Sequence, residues 1–450
     1  MLNYMKVIFI ILTLTLSGCM SSNPYRTEFK GTPCIYKVKD DCSDSALTKR
    51  NLNNGKSYHL AFIEFDDQGR IHNPMEDMQR LPPIDINQKN KILDYYSEIA
   101  AKEDVLLLTF VHGWHHNAQG SPEDGNIISF REMLSQAATV SNKHVLGVYI
   151  GWRGDSFRLP IWSTDIDLFN WVTFWERKNT AHQIGTQGLS TLLLELEDML
   201  KHTGENDTTS MKRDHKMISI GHSFGGAALY SAISPILESR YIASRPFNGN
   251  RDNQIVEGFG DLVVLLNPAF EAIKYDSLFH LAQDKCRSYP SSQRPKLVTV
   301  SSPNDLAVRW LFPTGRRINA FFENHRDVNN IHCIGDSLKP VSHFQSKSDR
   351  LAIGHYQAFI SHSLKTSDDA VSAFEAHDDS KTRVSIWESQ AKLGRFTFSG
   401  SILEANGITR TGNPYYNIWT EDKKIINGHN DVWTIPLKQF LYDLVYLTVE

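Results

Sequence analysis

The pentapeptide Gly221-His222-Ser223-Phe224-Gly225 follows the run Met217-Ile218-Ser219-Ile220 and precedes apolar residues at Ala228, Leu229, Ala232, Ile233, Ile236 and Leu237. The run reads as a short buried strand, and the later spacing reads as a helix. A chain passing from strand to helix through Gly-x-Ser-x-Gly makes a sharp, strained turn that exposes the serine hydroxyl. A side chain at either outer glycine would collide with the backbone packed against it. Gly226, Ala227 and Ala228 extend this small-residue surface. Ser223 is therefore the first candidate for a reactive residue.

Apolar runs at Tyr58 to Phe65, Val105 to Val111, Val145 to Ile150, Met217 to Ile220, Leu262 to Leu266 and Leu297 to Val300 read as strands. Val105 to Val111 is apolar almost throughout, as a strand covered on both faces would be. Helix-like segments lie between them, clearest at Ile127 to Val140 and at Ile184 to Leu200, where Leu189, Leu192, Leu193, Leu196 and Leu200 recur at helical spacing. The alternation predicts the α/β class, a mostly parallel sheet with helices on both faces. Tyr416 to Ile426 reads as the last strand, and Trp433 to Val449 is long enough for a closing helix.

Two regions interrupt the pattern. Phe157, Trp162, Phe169, Trp171, Phe174 and Trp175 crowd into one connection, which reads either as a lid or substrate wall or as rings filling space beneath a loop. The stretch from Leu306 to about Leu403 holds the basic and aromatic segment Arg309 to Phe322 and the polar segment Lys365 to Lys392, and reads as an insertion. The expected organisation is a leader over 1–18, a tether and extension over 19–57, and one domain over 58–450 with insertions at about 157–180 and 306–403.

Lys6, the apolar run Val7 to Leu16 and the small residues before Cys19 form the pattern of a secretory signal, with an apolar run too short to span a bilayer. Leu16-Ser17-Gly18-Cys19 resembles the lipobox of bacterial lipoproteins. That resemblance implies cleavage before Cys19, its lipidation, and an exported chain anchored to a membrane of the cell envelope, most simply at the periplasmic face of the outer membrane. The other cysteines are Cys34, Cys42, Cys286 and Cys333. Proximity favours Cys34 with Cys42 and Cys286 with Cys333, although four cysteines allow three connectivities. A formal charge of −4 and the lack of a dense basic run exclude a phosphate-tracking surface, so nucleic acid is not an expected partner.

A serine hydroxyl is a weak nucleophile and needs a base within hydrogen-bond reach, itself oriented by a third group. Asp305 follows the strand Leu297 to Val300 in the turn-rich Ser301-Ser302-Pro303-Asn304-Asp305, where a helix N-cap or Asx-turn is its plainer use. His429 stands in Asn427-Gly428-His429-Asn430-Asp431, after the expected last strand. His112-Gly113-Trp114 follows the buried strand Val105 to Val111. His112, His115 and His116 lack carboxylate or cysteine neighbours at ligand spacing, so no metal is expected.

Together, His112-Gly113-Trp114, Gly221 to Gly225, Asp305 and Gly428-His429-Asn430-Asp431 resemble the α/β-hydrolase superfamily, and more loosely its bacterial esterase-like members, over roughly Tyr58 to Glu450. In that family the order is Ser, then Asp or Glu, then His, each at the carboxyl end of a strand. The resemblance thus implies Asp305 as orienting acid, with Glu271 as the alternative, and His429 as general base, with His355 as the rival. It also implies an oxyanion hole from the Phe224 and Trp114 N–H groups, about eight strands, no cofactor, and hydrolysis of a small-molecule or lipid ester through an acyl-enzyme. Thioester or peptide cleavage by the same triad, or a lipid-anchored binding protein without turnover, are the other readings. The stretch between Asp305 and His429 is much longer than one strand and one helix require.

Overall fold

The computed structural model describes residues 24–29, 31–37, 41–72, 88–154, 168–205, 212–244, 255–283, 289–319, 323–334, 337–372, 374, 380–407 and 409–449. The signal segment, Cys19 and Cys286 lie outside them, as do the side chains of Cys333 and of the aromatic cluster from Phe157 to Trp175. Cys34 and Cys42 are joined by a disulfide.

The described strands are β1 (Cys34–Ile35), β2 (Leu47–Asn51), β3 (Ser57–Phe65), β4 (Val105–Val111), β5 (His144–Trp152), β6 (Lys216–His222), β7 (Leu262–Leu266), β8 (Leu297–Ser301), β9 (Asp327–Ile334), β10 (Ser337–Phe344), β11 (His362–Thr366), β12 (Arg395–Phe398), β13 (Ser401–Ala405) and β14 (Tyr415–Trp419). The α-helices are α1 (Gln88–Ala100), α2 (Gly125–Val140), α3 (Leu168–Ile184), α4 (Ser190–Glu205), α5 (Phe224–Ala243), α6 (Asp276–Gln283), α7 (Phe312–Asn319), α8 (Gln345–Arg350), α9 (Ser380–Leu393) and α10 (Ile435–Val449). No helix among the described residues is long and apolar enough to cross a membrane.

The chain is mixed α/β, with a large and mostly parallel sheet. Twelve strands form it in the order β1-β2-β3-β5-β4-β6-β7-β8-β14-β11-β13-β12, four more than the expected eight. The run from β3 to β11 is parallel at every pairing. The additions are at the edges, where β2 and β13 join antiparallel.

Alternate residues of β4 explain why its sequence is continuously apolar. Val105, Leu107 and Val111 join a core with α1, α4, α5 and α6, whereas Leu106, Leu108 and Phe110 join one with α2, α9 and α10. Each face of the strand is dry, so alternation with polar residues is lost.

The stretch from Leu306 to Leu403 does not stay outside the sheet. It supplies β11, β12 and β13, and β14 inserts between β8 and β11. Strand β11 has the sequence His-Ser-Leu-Lys-Thr, with His362 and Leu364 buried, and offers no continuous apolar run to read. The strand expected over Tyr416 to Ile426 stops at Trp419. There Asp422 turns the chain, its Oδ1 accepting the Lys424 N–H at 2.9 Å.

The connections from β4 and β6 diverge. After β4 the chain crosses through α2 to β5 on one side, and after β6 through α5 to β7 on the other. In such sheets the crevice beyond the carboxyl ends of the two diverging strands is where ligands bind. Val111 is in register with Gly221, so His112-Gly113 and His222-Ser223 emerge side by side.

Candidate active site

Ser223 follows β6 and precedes α5 with φ 56° and ψ −120°, a backbone conformation that a serine adopts only under constraint. Its N–H donates to Leu266 O at 2.9 Å, and its carbonyl accepts from Ala227 N and Ala269 N, each at 3.1 Å. The turn is tight enough to exclude side chains from its flanks. A Cβ on Gly225 would stand 2.1 Å from Val111 O, and one on Gly221 would stand 2.8 Å from Gly225 O.

Ser223 Oγ lies 2.7 Å from His429 Nε2, and His429 Nδ1 lies 2.7 Å from Asp305 Oδ2. The Asp305 carboxylate accepts the Nδ1–H, which leaves Nε2 of a neutral ring free to accept the serine proton. Asp305 is buried, and His429 retains 16% of its side-chain exposure. Asp305 also performs the plainer task, because its Oδ1 accepts the Val308 N–H at 2.9 Å and caps the helical turn that follows.

The two alternatives are engaged elsewhere. Glu271 pairs with Lys178 and, at 3.5 Å, with Lys274. Burial raises its pKa, but the two ammonium groups outweigh this and hold it down at about 2. His355 stands edge-on to Trp419, with ring centroids 5.3 Å apart, and its buried Nε2 has no hydrogen-bond partner. Burial lowers its pKa to about 4.

Gly113 comes so close to Ser223 that a Cβ there would stand 2.8 Å from the serine Cβ. Phe224 opens α5, and its ring lies 6.4 Å from that of Trp114. His112 has a defined tautomer. Its Nε2 accepts the Trp152 N–H at 3.0 Å, so its proton is on Nδ1, which donates to Gly113 O at 2.9 Å. Burial lowers the His112 pKa to about 4. His116 Nδ1 lies 3.0 Å from Asp124 Oδ1.

Two residues near Ser223, His429 and Asp305 have no sequence signal of their own. His222 Nε2 donates to His429 O at 2.9 Å. Asn267, at φ 41°, directs Nδ2 at Gly428 O and His429 O, each at 3.4 Å, and its Oδ1 accepts the Ser302 N–H at 3.3 Å. A turn-forming Asn before Pro268 is the most that the sequence shows of this.

No family model and no curated protein matches the chain. Among solved structures it is similar to a Trichoderma reesei cutinase in complex with a C11Y4 phosphonate inhibitor, at 12% identity and a TM-score of 0.19, over 50% of this chain and 79% of that one. So slight a likeness carries no functional argument.

Proposed function

We propose that this chain is a serine hydrolase of the α/β-hydrolase type that cleaves carboxylic ester or related acyl bonds. The observation that carries the reading is the unbroken chain of contacts from Ser223 Oγ through the His429 ring to Asp305 on a strained strand-to-helix turn. In this mechanism His429 Nε2 takes the Ser223 proton as Oγ attacks the acyl carbon, and Asp305 stabilises the imidazolium that forms. His429 then returns the proton to the leaving oxygen, and the acyl-serine is opened by a water that His429 deprotonates.

The Phe224 and Trp114 N–H groups are the proposed oxyanion donors. His112 has a part in this, because holding the Gly113 carbonyl fixes the plane of the peptide that carries the Trp114 N–H. Leu306 and Trp310 stand exposed within a few residues of Asp305, which favours apolar acyl groups. In this reading Cys19 carries the lipid anchor and the enzyme works at the cell envelope on lipid or other apolar esters. Rates across an acyl-chain series test the apolar preference, and indifference to chain length overturns it. Labelled palmitate entering the wild type but not Cys19→Ser supports the anchor, and equal incorporation removes it.

A fluorophosphonate probe tests the chemistry. It labels the wild type and His355→Ala, and fails on Ser223→Ala and His429→Ala. Failure to label the wild type would leave a binding protein that keeps the fold without turnover.

A further inference from the structure

Away from Ser223, helix α6 and the β9–β10 hairpin bring ring nitrogens and a carboxylate together. Asp276 and His280 stand one turn apart on α6 and so share a face. His332 on β9 and His343 on β10 are buried in the same place. Asp276 Oδ1 lies 2.8 Å from His343 Nδ1 and 3.1 Å from His280 Nε2, and one donor atom from each of the three lies within 4.8 Å of the others.

The donor atoms of Asp276, His280 and His343 converge closely enough to share one cation. Asn330 also borders the cluster, its side-chain amide 2.9 Å from His280 Nε2. With Nε2 given to a cation, His280 keeps its proton on Nδ1 and donates it to His332 Nε2 at 2.6 Å, which orients the ring. Phe359 packs on the His343 ring at 4.9 Å and Phe279 packs on the His332 ring at 5.7 Å, giving the cluster a dry wall.

We propose that Asp276, His280 and His343 bind a divalent cation of the zinc class, tying the β9–β10 hairpin to α6. Two imidazoles and one carboxylate are a zinc-type donor set, with a fourth position for water. Tetrahedral bonds of about 2.0–2.1 Å separate donor atoms by about 3.3–3.4 Å, so the two contacts of Asp276 need open by only about 0.2–0.6 Å. A second cluster, Glu323, His325 and Asp349, differs in kind. There the Arg316 guanidinium lies 2.7 Å from Asp349 and 2.9 Å from Glu323, and already supplies the cation.

The test uses the full chain, purified without a polyhistidine tag, saturated with zinc, dialysed, and assayed for metal by mass spectrometry. The wild type and His325→Gln should each hold about one equivalent. His343→Gln and Asp276→Asn, each checked for folding by circular dichroism, should lose it, and zinc should raise the Tm of the wild type and of His325→Gln but not of these two variants. A wild type without zinc after dialysis, or a His343→Gln protein that retains it, overturns the proposal. Metal content is independent of Ser223 chemistry, so this outcome stands apart from the fluorophosphonate result.

Discussion

His222 donates its Nε2–H to the carbonyl oxygen of His429, 2.9 Å away, so the residue before the candidate nucleophile holds the backbone of the candidate base. Burial keeps the His222 ring neutral, with its pKa well below the usual value. His222→Phe keeps a ring of similar size and removes the donor. Loss of such a positioning bond is expected to lower kcat for an activated ester about 10–100-fold, with KM little changed. Steady-state kinetics check this, and an unchanged kcat would remove His222 from the arrangement.

Asp305 separates two functions that one substitution can divide. In Asp305→Asn the amide oxygen still accepts the Val308 N–H, so the cap survives and urea unfolding should move by less than about 1 kcal/mol. The orienting charge is lost, and ester turnover should fall by about 10²–10⁴. Parallel losses of stability and activity would show that Asp305 acts only as a cap.

The elbow glycines offer a steric test. Gly225→Ala puts a methyl group against Val111 O and should cost about 1–3 kcal/mol or more, whereas nothing lies within 4 Å of a Cβ on Gly428. Gly428→Ala should stay within about ±0.5 kcal/mol. Denaturant midpoints compare the two, and equal midpoints would contradict the packing at the turn.

Several buried histidines set the acid limit of stability. Burial lowers His112 and His355 to about 4 and His59 and His362 to about 3. Unfolded histidines titrate near 6.5, so between these values the unfolded chain binds more protons. The stabilisation is complete above about pH 6.5 and is lost as pH falls toward the folded values. Tm should therefore decline from pH 7 to 4.5, and less steeply in His355→Phe. A flat profile in the wild type would show that these rings are not held neutral.

What was legible in the sequence depended on how far each signal travels. The elbow could be read because strand, turn and helix are contiguous, and Asp305 and His429 could be named because each follows a strand-like run. The partnership of His222 with His429 could not, since the two stand 207 residues apart and neither carries a local mark. Strand β11 escaped because its apolar positions are too few to form a run, and only its neighbours β13 and β14 make it a strand. The Asp276, His280 and His343 cluster escaped for a related reason. Asp276 and His280 share a helix face, but His343 reaches them only through the folded hairpin.

The position of β14 bears on how the chain is made. Until residues Tyr415–Trp419 emerge, β8 presents an open edge, and β11, β12 and β13 form a fragment separated from the rest of the sheet. An open parallel edge is a template for pairing with other chains, so nascent protein is exposed to aggregation until β14 is made. The strand that seals this gap is followed ten residues later by His429, so completion of the sheet and arrival of the candidate base are nearly one event.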